Sequence, residues 1–289
     1  MQQRCRAVRG RPAPSVVWPQ TIEMIKVRPK KALGQHFLTD LSVAERIAAT
    51  LDDFRGMPVL EIGPGMGVLT QFLIERGHDL TVVELDSESV EYLRHEFPAL
   101  EGRIIEADFL KMDIKELYPD GTKFCVIGNY PYNISSQIFF KILDYRDQVK
   151  CCSGMLQREV AERLTAAPGT KSRGILSVLL EAWYDRQYLF TVGEHVFNPP
   201  PKVKSGVIKM VRNGATDIGC DPSLFKTVVK TSFGQRRKTL RNSMRPLLPP
   251  STQFPESHGQ LLSMRPEQLS VEQFVDLTDM VSSIRKREQ

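Results

Sequence analysis

No apolar run in this sequence approaches the ~20 residues that a membrane-spanning helix needs, so a membrane-spanning reading is excluded. Cysteine is scarce, five in 289 residues. Cys5, Cys125, Cys151, Cys152 and Cys220 form no C-x-x-C pair, their number is odd, and three lie in apolar runs. That pattern points to buried, reduced thiols in a cytoplasmic protein, not to a disulfide framework. Histidines and cysteines do not recur at metal-ligating spacing, so no metal is expected. Acids are absent from residues 1–23 except Glu23, yet no apolar segment follows Arg4, Arg6, Arg9 and Arg11, which excludes a secretory signal. Pro12, Pro14 and Pro19 also oppose an amphipathic transit helix. The expectation is a disordered tail over residues 1–25, or an upstream start codon with Met24 as the natural first residue. Internal repeats and long low-complexity segments are lacking too.

What remains is a chain that is 41% hydrophobic and 25% charged, ordinary for a soluble globular protein with a sizeable core. The net charge of +5 is unevenly spread. Between Lys202 and Arg245 there are eleven Lys/Arg and two acids, a local +9, which leaves −4 for the rest. Such asymmetry suggests a patch for a polyanion, although a solvated surface is the blander explanation of any charge run.

Several stretches read as strands whose ends carry polar groups. Pro58–Ile62 is a short buried strand running into Gly63-Pro64-Gly65-Met66-Gly67, followed by a helix expected over Val68–Arg76. A glycine turn between strand and helix lets backbone approach a ligand. The dinucleotide fingerprint G-x-G-x-x-G is out of register here, because position 68 is Val. Thr81–Glu84 is the next strand, and a carboxylate at its end suits the hydroxyls of an adenosine ribose. The stretch Arg103–Leu110 gives a third strand and then Asp108-Phe109. Asp108 can accept from an adenine amino group.

The fourth strand, Phe124–Gly128, leads into Asn129-Tyr130-Pro131-Tyr132, and a helix is expected over Ile134–Leu143. Val149–Gln157 reads as a fifth strand, Ile175–Ala182 as a helix, and Trp183–Phe190 with Val203–Val211 as a closing antiparallel pair. Between that pair lies Phe197–Lys202, expected to be a rigid proline-rich loop. No strand is expected after Asp221, where Leu224–Phe233 is amphipathic, a basic helix starts near Gly234–Asn242, and a last helix spans Val271–Ile284. The division expected is an α/β domain over 26–213 and a small helical RNA-binding domain over 214–289.

The Asn129–Tyr132 stretch suggests a chemistry. An adenine exocyclic amine is a poor nucleophile because its lone pair is delocalised into the ring. Acceptors placed for a tetrahedral nitrogen would help it, and the Asn129 side-chain oxygen and the Tyr130 carbonyl are such acceptors. Pro131 would fix the backbone and Tyr132 would offer a stacking face. Catalysis is then positioning plus stabilisation of a developing ammonium. Phe197 is a candidate for the second face of a base sandwich once the base has left its stack. Arg236, Arg237, Lys238 and Arg241 would meet phosphates.

Seven spaced motifs now stand in order: Gly34–Leu38, Glu61–Gly67, Glu84–Asp86, Asn129–Ser135, Met155–Arg163, Phe197–Ser205 and Phe233–Asn242. Over residues 26–285 the chain resembles the ribosomal RNA adenine dimethyltransferases, in their small-subunit branch. The resemblance implies a Rossmann-like, S-adenosylmethionine-dependent methyltransferase sheet with a small all-α C-terminal domain. It implies N6-dimethylation of two adjacent adenosines in the terminal hairpin loop of small-subunit (16S) rRNA, on a pre-30S particle in the cytoplasm, by a monomer without metal. It implies that His36, Leu38, Gly63, Glu84, Asp108 and Asn129 line the cofactor, with Gln35 and Gly65 as neighbours, and that Asn129, Pro131 and Tyr132 hold the target base. Tyr130 stands where the family more often has Leu, and could narrow the pocket. The rival readings are an adenine methyltransferase of large-subunit rRNA or DNA, and an RNA-binding ribosome-assembly factor with dispensable catalysis. An NAD dehydrogenase fails on the glycine register.

Overall fold

The computed structural model describes residues 29–30, 33–119 and 121–287, so the expectations for residues 1–25, including the start at Met24, lie outside the described residues. The larger sheet is built from β2 (Pro58–Ile62), β3 (Asp79–Glu84), β4 (Ile104–Glu106), β5 (Phe124–Asn129), β6 (Val149–Gln157), β7 (Tyr184–Val192) and β9 (Ser205–Arg212). Their order is β4-β3-β2-β5-β6-β9-β7. The first five are mutually parallel, and β9 runs antiparallel to both β6 and β7.

The central strand β5 is a continuous buried run up to Asn129 because both sheet faces are covered there. Side chains alternate between two cores. Leu60 and Ile62 of β2, with Phe124 and Val126 of β5, point to one; Val59, Cys125 and Ile127 point to the other. The second core is closed by α1 (Leu41–Ala48) and α2 (Thr70–Glu75). Asp40 caps α1 by accepting from the amides of Ser42 and Val43, and Val43, Ala44, Ile47 and Ala48 form its buried face. α3 (Ser87–Glu96) follows β3. Cys125, Cys151 and Cys152 are free and buried, and Cys220 is free and half-buried.

The first core holds α4 (Ser135–Asp144), α5 (Arg158–Leu164) and α6 (Ile175–Glu181). It also takes in the C-terminal helices α7 (Pro222–Gly234), α8 (Leu240–Ser243), α9 (Gly259–Ser263) and α10 (Val271–Arg287). Phe225, Val228, Phe274 and Leu277 belong to the same continuous apolar cluster as Phe139 and Leu180. At the expected boundary, the Arg212 guanidinium donates to the carbonyls of Trp183, Asn213 and Ala215, which pins the turn.

Three local expectations change. The helix expected over Val68–Arg76 begins only at Thr70, because Gly63, Gly65 and Gly67 hold positive φ and the chain turns through Leu69. The basic stretch after Gly234 is a turn through Lys238, and helix resumes only at Leu240. Phe197–Asn198 is a short strand, β8, paired antiparallel with β1 (Phe37–Leu38). Two residues per strand carry no readable period, so this second sheet was not legible as a pattern.

Candidate active site

Strand order reverses between β2 and β5, and in an open α/β sheet ligands bind beyond the carboxyl ends of strands at such a switch point. The turn after β2, the end of β3, the loop after β4 and the Asn129–Tyr132 loop after β5 all open onto one cavity there. Gln35, His36, Leu38, Gly63, Gly65, Glu84, Asp108, Asn129, Pro131 and Tyr132 all line it.

The glycine turn is held by packing as well as by backbone angle. A Cβ on Gly67 would lie 2.3 Å from the Phe97 ring, and one on Gly65 3.0 Å from the Phe37 ring. Gly63 faces Pro131, so the two loops meet across the cavity. Glu84 is buried, and its Oε2 accepts the Gly65 amide at 3.0 Å. Its Oε1 accepts the amides of Leu85 and Asp86 at 2.8 and 2.9 Å. Burial raises the Glu84 pKa, against those three backbone hydrogen bonds. Each carboxylate oxygen can accept twice, so Glu84 keeps acceptor capacity toward the cavity, chiefly on Oε2.

Asp108 accepts the Leu110 amide at 2.9 Å on Oδ1 and faces Lys111 at 3.5 Å with Oδ2. Gln35 is a tie rather than a free amide: it accepts from the Lys30 amide at 2.8 Å and donates to Asp86 at 3.5 Å. Lys30 pairs with Asp86 as well, fixing the segment before β1 to the start of α3.

On the other side of the cavity, the Asn129 Nδ2 donates to the His36 carbonyl at 3.2 Å. The His36 ring lies 5.5 Å from the Tyr132 ring, and its Nδ1 is 2.8 Å from the Pro199 carbonyl oxygen. The Tyr132 hydroxyl is hydrogen-bonded to that of Ser205, and burial raises the Tyr132 pKa against this bond. Tyr130 is among the residues that line the cavity. Its ring is buried, and its hydroxyl donates to the Ser153 carbonyl at 2.7 Å.

Phe197 sits apart from this cavity. It is 4% exposed, pairs with Leu38 across the small sheet, and is not a wall of the cavity, so this arrangement gives it no face for a base. The short strand pairing turns its ring into the core. Among the basic residues, Arg236 donates to the Lys171 carbonyl and lies 3.8 Å from Glu267. Arg237 and Lys238 are exposed, while the Arg241 guanidinium lies 5.4 Å from the Phe254 ring centre.

Sequence reasoning missed three residues. Ser205 closes the Phe197–Ser205 motif, a signal that could have marked it as a partner for Tyr132. Glu61 opens the glycine motif, is 1% exposed, and accepts from the Thr70 hydroxyl at 2.8 Å. Leu85 lines the cavity with 51% of its surface exposed, an apolar face beside Glu84.

A family model described as ribosomal RNA adenine dimethylase matches residues 27–283. The ribosomal RNA small subunit methyltransferase A of Parabacteroides distasonis is 70% identical over 252 residues, covering 87% of this chain and 93% of the relative. The protein of the same name from Bacteroides thetaiotaomicron is 60% identical over 260 residues, covering 90% and 96%. In fold, the chain is similar to a dimethyladenosine transferase from Plasmodium falciparum, with TM-score 0.70, 23% identity, and 88% and 98% of the two chains covered. It is also similar to the 23S rRNA methyltransferase ErmE, with TM-score 0.65, 25% identity, and 85% and 99% covered.

Proposed function

This chain belongs to the ribosomal RNA adenine dimethylase family, and from that premise we propose how its residues carry the reaction. It is an S-adenosylmethionine-dependent methyltransferase that dimethylates the N6 amines of adenosines in small-subunit rRNA. Among the described residues no helix is long and apolar enough to cross a membrane. The finer reading is ours: the target is two adjacent adenosines in the terminal hairpin loop, presented on a pre-30S particle, and the enzyme acts in the cytoplasm as a monomer. We likewise assign catalysis to the α/β part, residues 26–213, and RNA docking to 214–289.

The cavity fits the methyl donor. The buried Glu84 carboxyl, with acceptor capacity left toward the cavity, suits ribose hydroxyls, and Asp108 suits the adenine amine. Leu85 offers an apolar face to the base, and the Gly63–Gly67 turn admits close backbone approach. When bound, the donor supplies an electrophilic methyl group on a sulfonium.

The acceptor side is carried by one observation. Asn129 gives its Nδ2 to the His36 carbonyl, which leaves its Oδ1 as an acceptor, and we take the Tyr130 carbonyl of the same cavity-lining loop as the second. Two such oxygens hold the target amine by its protons and favour a tetrahedral nitrogen, which localises the lone pair. Pro131 fixes the backbone between them, and Tyr132, anchored through Ser205, gives the base a face. The developing positive charge is met by the same oxygens, and the proton leaves after transfer.

The test compares methylation of pre-30S particles, 50S precursors and duplex DNA. Dimethyladenosine forming on the pre-30S rRNA alone is the expected result. Equal or greater transfer to 50S precursors or DNA overturns the substrate assignment, and rRNA that gains no methyl groups from the pure enzyme overturns the catalytic one.

A further inference from the structure

The loop that follows β4 turns sharply. The amides of Lys111 and Met112 both donate to the Asp108 carbonyl, at 2.9 and 3.1 Å. This leaves the carbonyls of Phe109 and Met112 converging on one point outside the turn. The ammonium of Lys141, from α4, occupies that point. It donates to the Phe109 carbonyl at 2.5 Å and to that of Met112. It also lies 4.9 Å from the centre of the Phe109 ring, which is itself buried.

Two converging carbonyl dipoles repel each other unless a cation stands between them, and a charge-assisted donor does this more strongly than a neutral one. The ammonium has three donors and spends two on this turn. Its surroundings are partly desolvated: burial lowers the Lys141 pKa, while Asp108 and Asp113 hold it up. α4 therefore touches the site twice. Its first residue, Ser135, donates back to the Tyr132 carbonyl of the base loop at 3.3 Å, and Lys141 grips the cofactor loop.

We propose that Lys141 is a positioning residue for the methyl donor: it clamps the Asp108–Met112 turn and so holds the Asp108 carboxyl where the adenine amine is read. This rests on the assignment of that amine to Asp108. Lys141 itself is not among the residues that line the cavity. Its effect is on donor affinity and on recognition of the adenine amine, not on the transfer step.

The experiment titrates S-adenosylhomocysteine, and its deaminated analogue with inosine in place of adenosine, into the full chain by calorimetry. Wild type is expected to prefer the adenosine ligand by about tenfold or more, since a site built to pair an amine rejects the analogue lacking it. Lys141→Met is expected to lose most of that preference, with turnover at saturating donor within about twofold of wild type. Lys141→Arg, which keeps a charged donor, is expected to retain part of it.

A wild-type preference preserved in Lys141→Met overturns the clamp and leaves the Asp108 assignment standing. Loss of turnover with donor affinity unchanged also overturns it. A wild type that does not distinguish the two ligands overturns the Asp108 assignment, and the proposal with it. Should circular dichroism find Lys141→Met unfolded, Lys141→Gln gives the same comparison, and an unchanged preference there is equally decisive.

Discussion

The side chain of Asn129 donates its amide nitrogen to the backbone carbonyl of His36 across 3.2 Å, from the end of β5 to the start of β1. An amide has one donor end and one acceptor end, so this bond decides which end is left for a ligand. Asn129→Ala removes both ends. Turnover should fall by about two orders of magnitude or more, the usual scale for losing a preorganised polar group. RNA binding should stay near wild type, because the basic surface is untouched. Asn129→Asp should be similarly impaired, since a carboxylate cannot donate to His36. Single-turnover kinetics beside filter binding would measure both quantities, and wild-type turnover in either variant would remove Asn129 from the mechanism.

Glu61 carries a pH signature. Burial raises its pKa from 4.5 to about 8, with the Thr70 hydrogen bond opposing and Glu84 reinforcing. The folded protein then keeps a proton that the unfolded chain releases near pH 4.5. Between those values the native state binds more protons, so this contribution to stability falls as pH rises and levels off above about 8. The total is on the order of a few kcal/mol. Glu61→Gln, which still accepts from Thr70, should flatten the decline in melting temperature across that window. An identical pH profile for variant and wild type would count against the buried, protonated carboxyl.

The basic candidates Arg236, Arg237 and Lys238 should not behave alike. Arg237 and Lys238 face solvent, whereas Arg236 is engaged with Lys171 and Glu267. Neutralising Arg237 and Lys238 together should reduce the slope of log affinity against log salt by about 1 to 2. Arg236→Ala should lower the melting temperature and leave that slope close to wild type. Binding of the rRNA hairpin measured over a salt series separates the two roles. If Arg236→Ala shifts the slope as much as the other pair does, Arg236 is a phosphate contact after all.

Tyr130 buries its side chain in the core, and only its carbonyl is assigned a part in the proposed chemistry. Its ring meets Phe139 edge-on with centroids 5.5 Å apart, and its hydroxyl is bonded to Ser153. Tyr130→Phe should cost about 1 to 2 kcal/mol in denaturant unfolding through the lost buried bond. Methyl transfer should change by no more than about twofold. A large loss of turnover in a folded Tyr130→Phe would give the phenol a direct part in the chemistry.

Much of the chemistry was written along the chain because its carriers sit at strand ends. A strand end is marked locally, by an apolar run that stops at a polar residue, so Glu84, Asp108 and Asn129, which the fold brings to one cavity, stood out as candidates without coordinates. The same local pattern gave the order of strands and helices, and the glycine turn between β2 and α2. Position within a motif also identified the family to which these residues belong.

The tertiary structure decided the partnerships, which depend on which distant segments pack together. No local pattern joins His36 to Asn129, Tyr132 to Ser205, or Lys141 to the turn at Asp108; sheet order and helix packing bring them into contact. Phe197 had the composition of a stacking residue, yet pairing with Leu38 turned it into the core. Arg236 had the composition of a phosphate contact, yet packing of the C-terminal helices placed it against Lys171 and Glu267. Side-chain chemistry is a property of the residue and survives in the sequence. Which partner consumes that chemistry is a property of the fold, because it is set by contacts between residues far apart in the chain.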